Sequence, residues 1–123
     1  MKLGRMLIAG ILISVCTVEL TGIYSEARAQ DTPVARGRAV FEHWCADCHN
    51  PVGPADPPLA GTSSLERTYK GTKPAALEER TDLTPEYVKY IVRKGTKSMP
   101  MSRKTEITDQ DLDALARYLS KES

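Results

Sequence analysis

Cys45-Ala46-Asp47-Cys48-His49 is the stretch on which the fold of this 123-residue chain turns. Two thiols stand three positions apart, and a histidine follows the second directly. On a helix that spacing sets both sulfurs on one side, one turn apart, with the imidazole just beyond them. CxxCH is the signature of covalent c-type haem attachment. The thiols add to the vinyl groups along one edge of a porphyrin, and the histidine reaches the iron from one face. In a chain with 3 Cys and 2 His the pattern arises by chance about once in a thousand, so it carries weight.

Other uses of two cysteines and a histidine fit less well. A structural zinc site takes four ligands, and near the motif only His43 could be the fourth, with no second CxxC anywhere. A thioredoxin-like pair belongs to a βαβ unit, and no alternating β-branched segments surround the motif. A disulfide across CxxC is strained and leaves His49 without a purpose.

A haem iron has a second face, and Lys97-Ser98-Met99-Pro100-Met101 offers the donor for it. Methionine sulfur opposite histidine is a ligand set of electron-carrying cytochromes and raises the potential. Met99 and Met101 flank a proline whose fixed φ stiffens the loop, and only one of them can bind. A pair of histidine ligands is not expected, because His43 precedes Cys45 by two residues on the same helix.

Outward from the motif, Thr32-Pro33 reads as a helix start, with Gly37, Val40, Phe41 and Trp44 at i, i+3, i+4 and i+7. From Asn50 to Gly61 four prolines and two glycines forbid regular structure and describe a loop around a cofactor edge. A short helical turn is expected near Pro74 to Arg80. Thr84-Pro85-Glu86 opens a helix with Tyr87, Val88, Ile91 and Val92 on one face and Gly95 past its end. Thr108-Asp109-Gln110-Asp111 is a capping box that opens a last helix burying Leu112, Leu115, Ala116 and Leu119. Asp109, Asp111 and Asp113 suit its positive end. No strand pattern competes, so the expected class is all-α.

The first 29 residues read as a secretory signal peptide: Lys2 and Arg5, an apolar run from Met6 to Val18, then Ala27-Arg28-Ala29. The run is too short for a membrane span, which takes roughly 20 residues. Val15 is larger than the small residue that precedes a lipidated cysteine, so Cys16 is not expected to carry lipid. Cleavage after Ala29 leaves 30–123 as one domain in the periplasm, with equal numbers of acidic and basic residues and no stable membrane span. A formal charge of +1 on the whole chain argues against nucleic-acid binding. A domain this small buries only about two thirds of its unfolded surface. A prosthetic group would supply the core it lacks.

From Gly37 to Leu119 the chain resembles the class I cytochrome c family. The resemblance rests on Gly37-Arg38-Ala39-Val40-Phe41, on Cys45 to His49, on Met99-Pro100 and on Ala116-Arg117-Tyr118-Leu119. It implies a small all-α fold wrapped around one covalently attached haem, with His49 and a methionine as iron ligands and Cys45 and Cys48 as attachment points. Because the family's ligand methionine is followed by proline, it favours Met99 over Met101. It also implies a close crossing of first and last helices at Gly37 and Tyr118. In the family a proline carbonyl accepts the Nδ1–H of the proximal histidine, and either Pro54 or Pro58 is placed for that role.

An iron held on both faces has no vacancy for a small molecule, so the expected activity is single-electron transfer and not enzymatic turnover; a small peroxidase or gas-binding protein would need an open face. Lys89, Arg93, Lys94, Lys97, Arg103 and Lys104 form a basic collar around the methionine loop, able to steer an acidic partner. A narrower resemblance lies in Tyr69-Lys70-Gly71, in Pro74 to Leu83 and in Met99-Pro100 with Arg103 to Ile107. These segments are similar to the cytochrome subunits of flavin-dependent alkylphenol hydroxylases of the p-cresol methylhydroxylase kind, which implies an FAD-containing dehydrogenase as the redox partner. The alternative is a free periplasmic shuttle serving a terminal oxidase.

Overall fold

The computed structural model describes residues 32–122. The expected signal peptide, with its cleavage position and Cys16, lies outside the described residues. Among the described residues five α-helices follow one another: α1 (Pro33–Trp44), α2 (Ala46–His49), α3 (Ala60–Tyr69), α4 (Pro85–Lys94) and α5 (Asp109–Ser120), with a 3-10 turn at Leu77–Glu79 between α3 and α4. Among the described residues no strand forms, and one isolated β-bridge joins Thr96 to Met99. The all-α expectation holds.

Helices α4 and α5 begin where their caps say. Thr84 Oγ1 accepts the Tyr87 amide at 3.2 Å with Pro85 in the first turn, and Thr108 Oγ1 accepts the Asp111 amide at 3.1 Å. The Asp111 side chain departs from a capping box, because its carboxylate takes the Thr108 hydroxyl and the Arg36 guanidinium. Gly95 ends α4 with φ +69.

First and last helices cross with their backbones almost touching. A β-carbon on Gly37 would lie 2.1 Å from the Ala114 carbonyl oxygen and 2.7 Å from Tyr118 Cβ, so only glycine fits. Beside that crossing, Phe41 is fully buried and tilts against the Tyr118 ring at 6.1 Å between centroids. Leu112, Leu115, Ala116 and Leu119 of α5, Val88 and Val92 of α4, Ala46 of α2, Leu83 and Ile107 complete the cluster. Tyr87, which the helical pattern put on the apolar face of α4, is instead half exposed.

Helix α3 had no place in the sequence reading, which ran the loop through Gly61. Its residues, Ala-Gly-Thr-Ser-Ser-Leu-Glu-Arg-Thr-Tyr, include several weak helix formers. Tertiary bonds hold it. Thr62, buried, donates its hydroxyl to the Asn50 carbonyl at 2.8 Å and to the Cys48 carbonyl at 3.3 Å, tying α3 to α2. The stretch after α3 is anchored by Arg80, whose side chain is almost wholly buried. It donates to both Asp82 oxygens at 2.5 and 2.8 Å and to the Tyr69 hydroxyl at 2.7 Å, and lies 4.8 Å from that ring's centroid. Arg80 and Lys73 together hold the Asp82 carboxyl well below its ordinary range.

Candidate functional site

The CxxCH motif occupies a break in the helix. Helix α1 stops at Trp44, Cys45 forms the joint, and α2 runs from Ala46 to His49. The amides of Cys48 and His49 bond to the Cys45 carbonyl at 3.1 and 2.9 Å, so the two cysteines sit one turn apart. Both are unbridged, Cys45 partly buried and Cys48 exposed. Burial first, and then the neighbouring Cys48, pushes the Cys45 thiol up to about 11. A thiol that holds its proton is a poor nucleophile for disulfide exchange. Among the described residues no three of His, Cys, Asp and Glu converge as a metal cage.

His49 is enclosed by the fold. Its Nδ1 is buried and has no hydrogen-bond partner, and burial lowers the pKa of the ring, which keeps the imidazole neutral at neutral pH. The bare backbone of Gly61 passes over the ring edge. A β-carbon there would stand 2.6 Å from His49 Cε1 and 2.6 Å from the Cys48 carbonyl oxygen. Pro54 and Pro58 are exposed, in a loop turned by the Gly53–Asp56 bonds. Neither proline carbonyl accepts from Nδ1 in this structure.

Met99 and Met101 separate by burial. Met99 packs, half-buried, on the same core cluster as Cys45, whereas Met101 is 61% exposed. The Met99 loop is tightly built: Thr96 and Met99 exchange both backbone hydrogen bonds, at 3.0 and 2.9 Å, around Lys97, which has φ +51. A β-carbon on Gly95 would meet the Met99 carbonyl oxygen at 2.7 Å and the Met101 amide at 2.8 Å. His43 is exposed and stacks edge-on against Trp44.

These features suit a porphyrin bonded to Cys45 and Cys48 through thioether links. His49 would meet its iron through Nε2, the ring nitrogen that is not sealed off, and Met99 lies on the core surface that Cys45 shares. Sequence reading missed Thr62 and Gly61 as supports of this site. Their partners lie 12 or more residues away, and no local signal marks them.

The basic collar is not a free cationic face. Lys89 pairs with Asp113 at 2.6 Å, Arg93 and Lys104 with Asp109 at 2.9 and 2.7 Å, and Arg103 with Glu106 at 3.5 Å. Three carboxylates, Glu106 before α5 and Asp109 and Asp113 on it, therefore offset half of its six charges. Lys94 turns to the Tyr90 hydroxyl.

Residues 32–119 match the family model described as cytochrome C oxidase, cbb3-type, subunit III. The cytochrome c subunit of 4-cresol dehydrogenase (hydroxylating) from Pseudomonas putida is 27% identical over 116 residues, which cover 94% of this chain and 82% of that protein. No solved structure matches the chain. Since the family match takes in every helix described above, the chain belongs to the cytochrome c family, as a class I c-type cytochrome that transfers electrons through a c-type haem and is not itself an enzyme.

Proposed function

We propose that this chain carries one haem bonded to Cys45 and Cys48, held by His49 and Met99, and shuttles single electrons in the periplasm after removal of residues 1–29. The observation that carries the ligand assignment is the contrast between Met99, packed on the core cluster that Cys45 also touches, and Met101, turned to solvent. The haem supplies reversible one-electron chemistry at its iron. The protein's part is to hold both ligands still. Gly61 and Thr62 fix the His49 end, while Gly95 and the Thr96–Met99 turn fix the methionine end. Rigid ligands keep the site alike in both oxidation states, and an apolar surrounding of the ring disfavours the extra positive charge of the oxidised form.

The electron donor in this reading is an FAD-containing dehydrogenase acting on an alkylphenol, in the manner of the 4-cresol enzyme to which the similar cytochrome subunit belongs. Two measurements test the whole. Protein exported from a host with working maturation machinery should stay coloured after denaturation and weigh the polypeptide from residue 30 plus one haem; colourless protein of unmodified mass would refute attachment. In stopped flow, the reduced flavoprotein of that class should reduce the cytochrome within its turnover time. Failure there, with the haem in place, would point to the free shuttle.

A further inference from the structure

We propose that Arg93 is the positioning residue that pins the Met99 loop to the α4–α5 helix pair, a role that rests on Met99 being the sulfur ligand. Three residues beyond Met99, both backbone groups of Ser102 are tied to the end of α4. Its amide donates to the Val92 carbonyl at 2.9 Å, and its carbonyl accepts from Arg93 Nη1 at 3.1 Å. The other arm of the same guanidinium, Nη2, reaches Asp109 at the start of α5 at 2.9 Å. One side chain on α4, only 24% exposed, thus joins a loop carbonyl to the first residue of another helix.

The chemistry needs a planar fork. A guanidinium can donate along two directions at once, to a neutral carbonyl and to a carboxylate, and the carboxylate bond is the stronger for being charge-assisted. A lysine ammonium at the same place could serve one acceptor well and not both. Asp109 is held in its ionised form by Lys104 and Arg93 and by its place at a helix N-terminus, so the anchor persists through the neutral range. On the other flank of Met99 the chain is fixed by backbone alone, at Gly95 and the Thr96–Met99 turn. Releasing the Ser102 carbonyl would therefore leave the trailing side of the loop on its amide bond alone, loosening it while the leading side stays intact.

A loop freed on one side lets its methionine leave the iron for part of the time, and an external ligand gains whatever the methionine loses. Imidazole titration of the oxidised holoprotein reads this, together with the red-region sulfur-to-iron band. Arg93→Met should weaken the band and tighten imidazole binding about tenfold, the expectation for losing one partly buried charged hydrogen bond. Arg93→Lys should fall between. Lys89→Ala is the control, because it removes a comparable α4–α5 ion pair, with Asp113 at 2.6 Å, that does not touch the loop; it should change neither readout. The proposal is overturned if Arg93→Met binds imidazole as the parent does, or if Lys89→Ala shifts it equally, which would make Arg93 a mere helix tether. Should Arg93→Met not yield holoprotein, Arg93→Lys decides by the same two readouts. Met99→Ala separates the underlying reading: if the band survives it, the ligand assignment is wrong and the positioning role falls with it, whereas its loss beside an unmoved Arg93→Met overturns only the role of Arg93.

Discussion

Gly61 and His49 meet edge to backbone: a β-carbon at position 61 would stand 2.6 Å from His49 Cε1 and 2.8 Å from Nδ1, closer than carbon atoms approach in folded proteins. The start of α3 is therefore shaped to the imidazole. Gly61→Ala must push the ring or the Cys48 carbonyl aside, and overpacking of this kind costs about 1–3 kcal/mol. The expected result is a holoprotein with a lower guanidinium midpoint and an altered reduction potential. An unchanged potential would mean that the ring does not depend on this contact.

Lys97 holds a left-handed backbone, φ +51, inside the Thr96–Met99 turn. That conformation costs a side-chain-bearing residue about 1 kcal/mol or more, and a β-branched residue more again. Lys97→Gly should raise stability by about 0.5 kcal/mol once the added freedom of glycine in the unfolded chain is set against the relief. Lys97→Val should lower it. Denaturant midpoints in the order Gly above Lys above Val would bear this out, and the reverse order would show that the turn is built differently.

Tyr118 donates its hydroxyl to Glu78, joining α5 to the 3-10 turn. Burial first, and then Glu78, pushes the phenol up to about 12 from an ordinary value of 10.0. A folded pKa above the unfolded one stabilises the protonated form of the fold. The contribution is therefore complete below about pH 10 and is lost as pH rises towards 12. Tyr118→Phe should cost about 1–2 kcal/mol at neutral pH through the missing bond to a carboxylate. It should also flatten the fall in stability above pH 10 relative to the parent. Parallel pH profiles for the two proteins would contradict this.

How much of this was legible follows from where each residue finds its partner. Thr84, Thr108 and Gly95 act within a few positions of themselves, so the two strongest helices could be read directly. The glycine at 37 was expected at the α1–α5 crossing from the family resemblance, and it lies there. Helix α3 could not be read, because the bond that favours it links Thr62 to Asn50 across a proline-rich loop. Arg80 looks like any surface arginine until Tyr69 and Asp82 are seen around it. The collar of cations was visible as composition. Its partial neutralisation by Asp109 and Asp113 was not, since those acids already had an ordinary place near a helix N-terminus. At His49, the imidazole was marked by the motif as the candidate ligand, while its unpaired Nδ1 was a matter of tertiary geometry.

The ligand pair carries the functional reading, and the visible spectrum of the oxidised protein tests it in three samples: parent, Met99→Ala and Met101→Ala. The expected result is a red-region sulfur-to-iron band in the parent and in Met101→Ala, and none in Met99→Ala. A band that survives Met99→Ala, or that is missing from the parent, would contradict it.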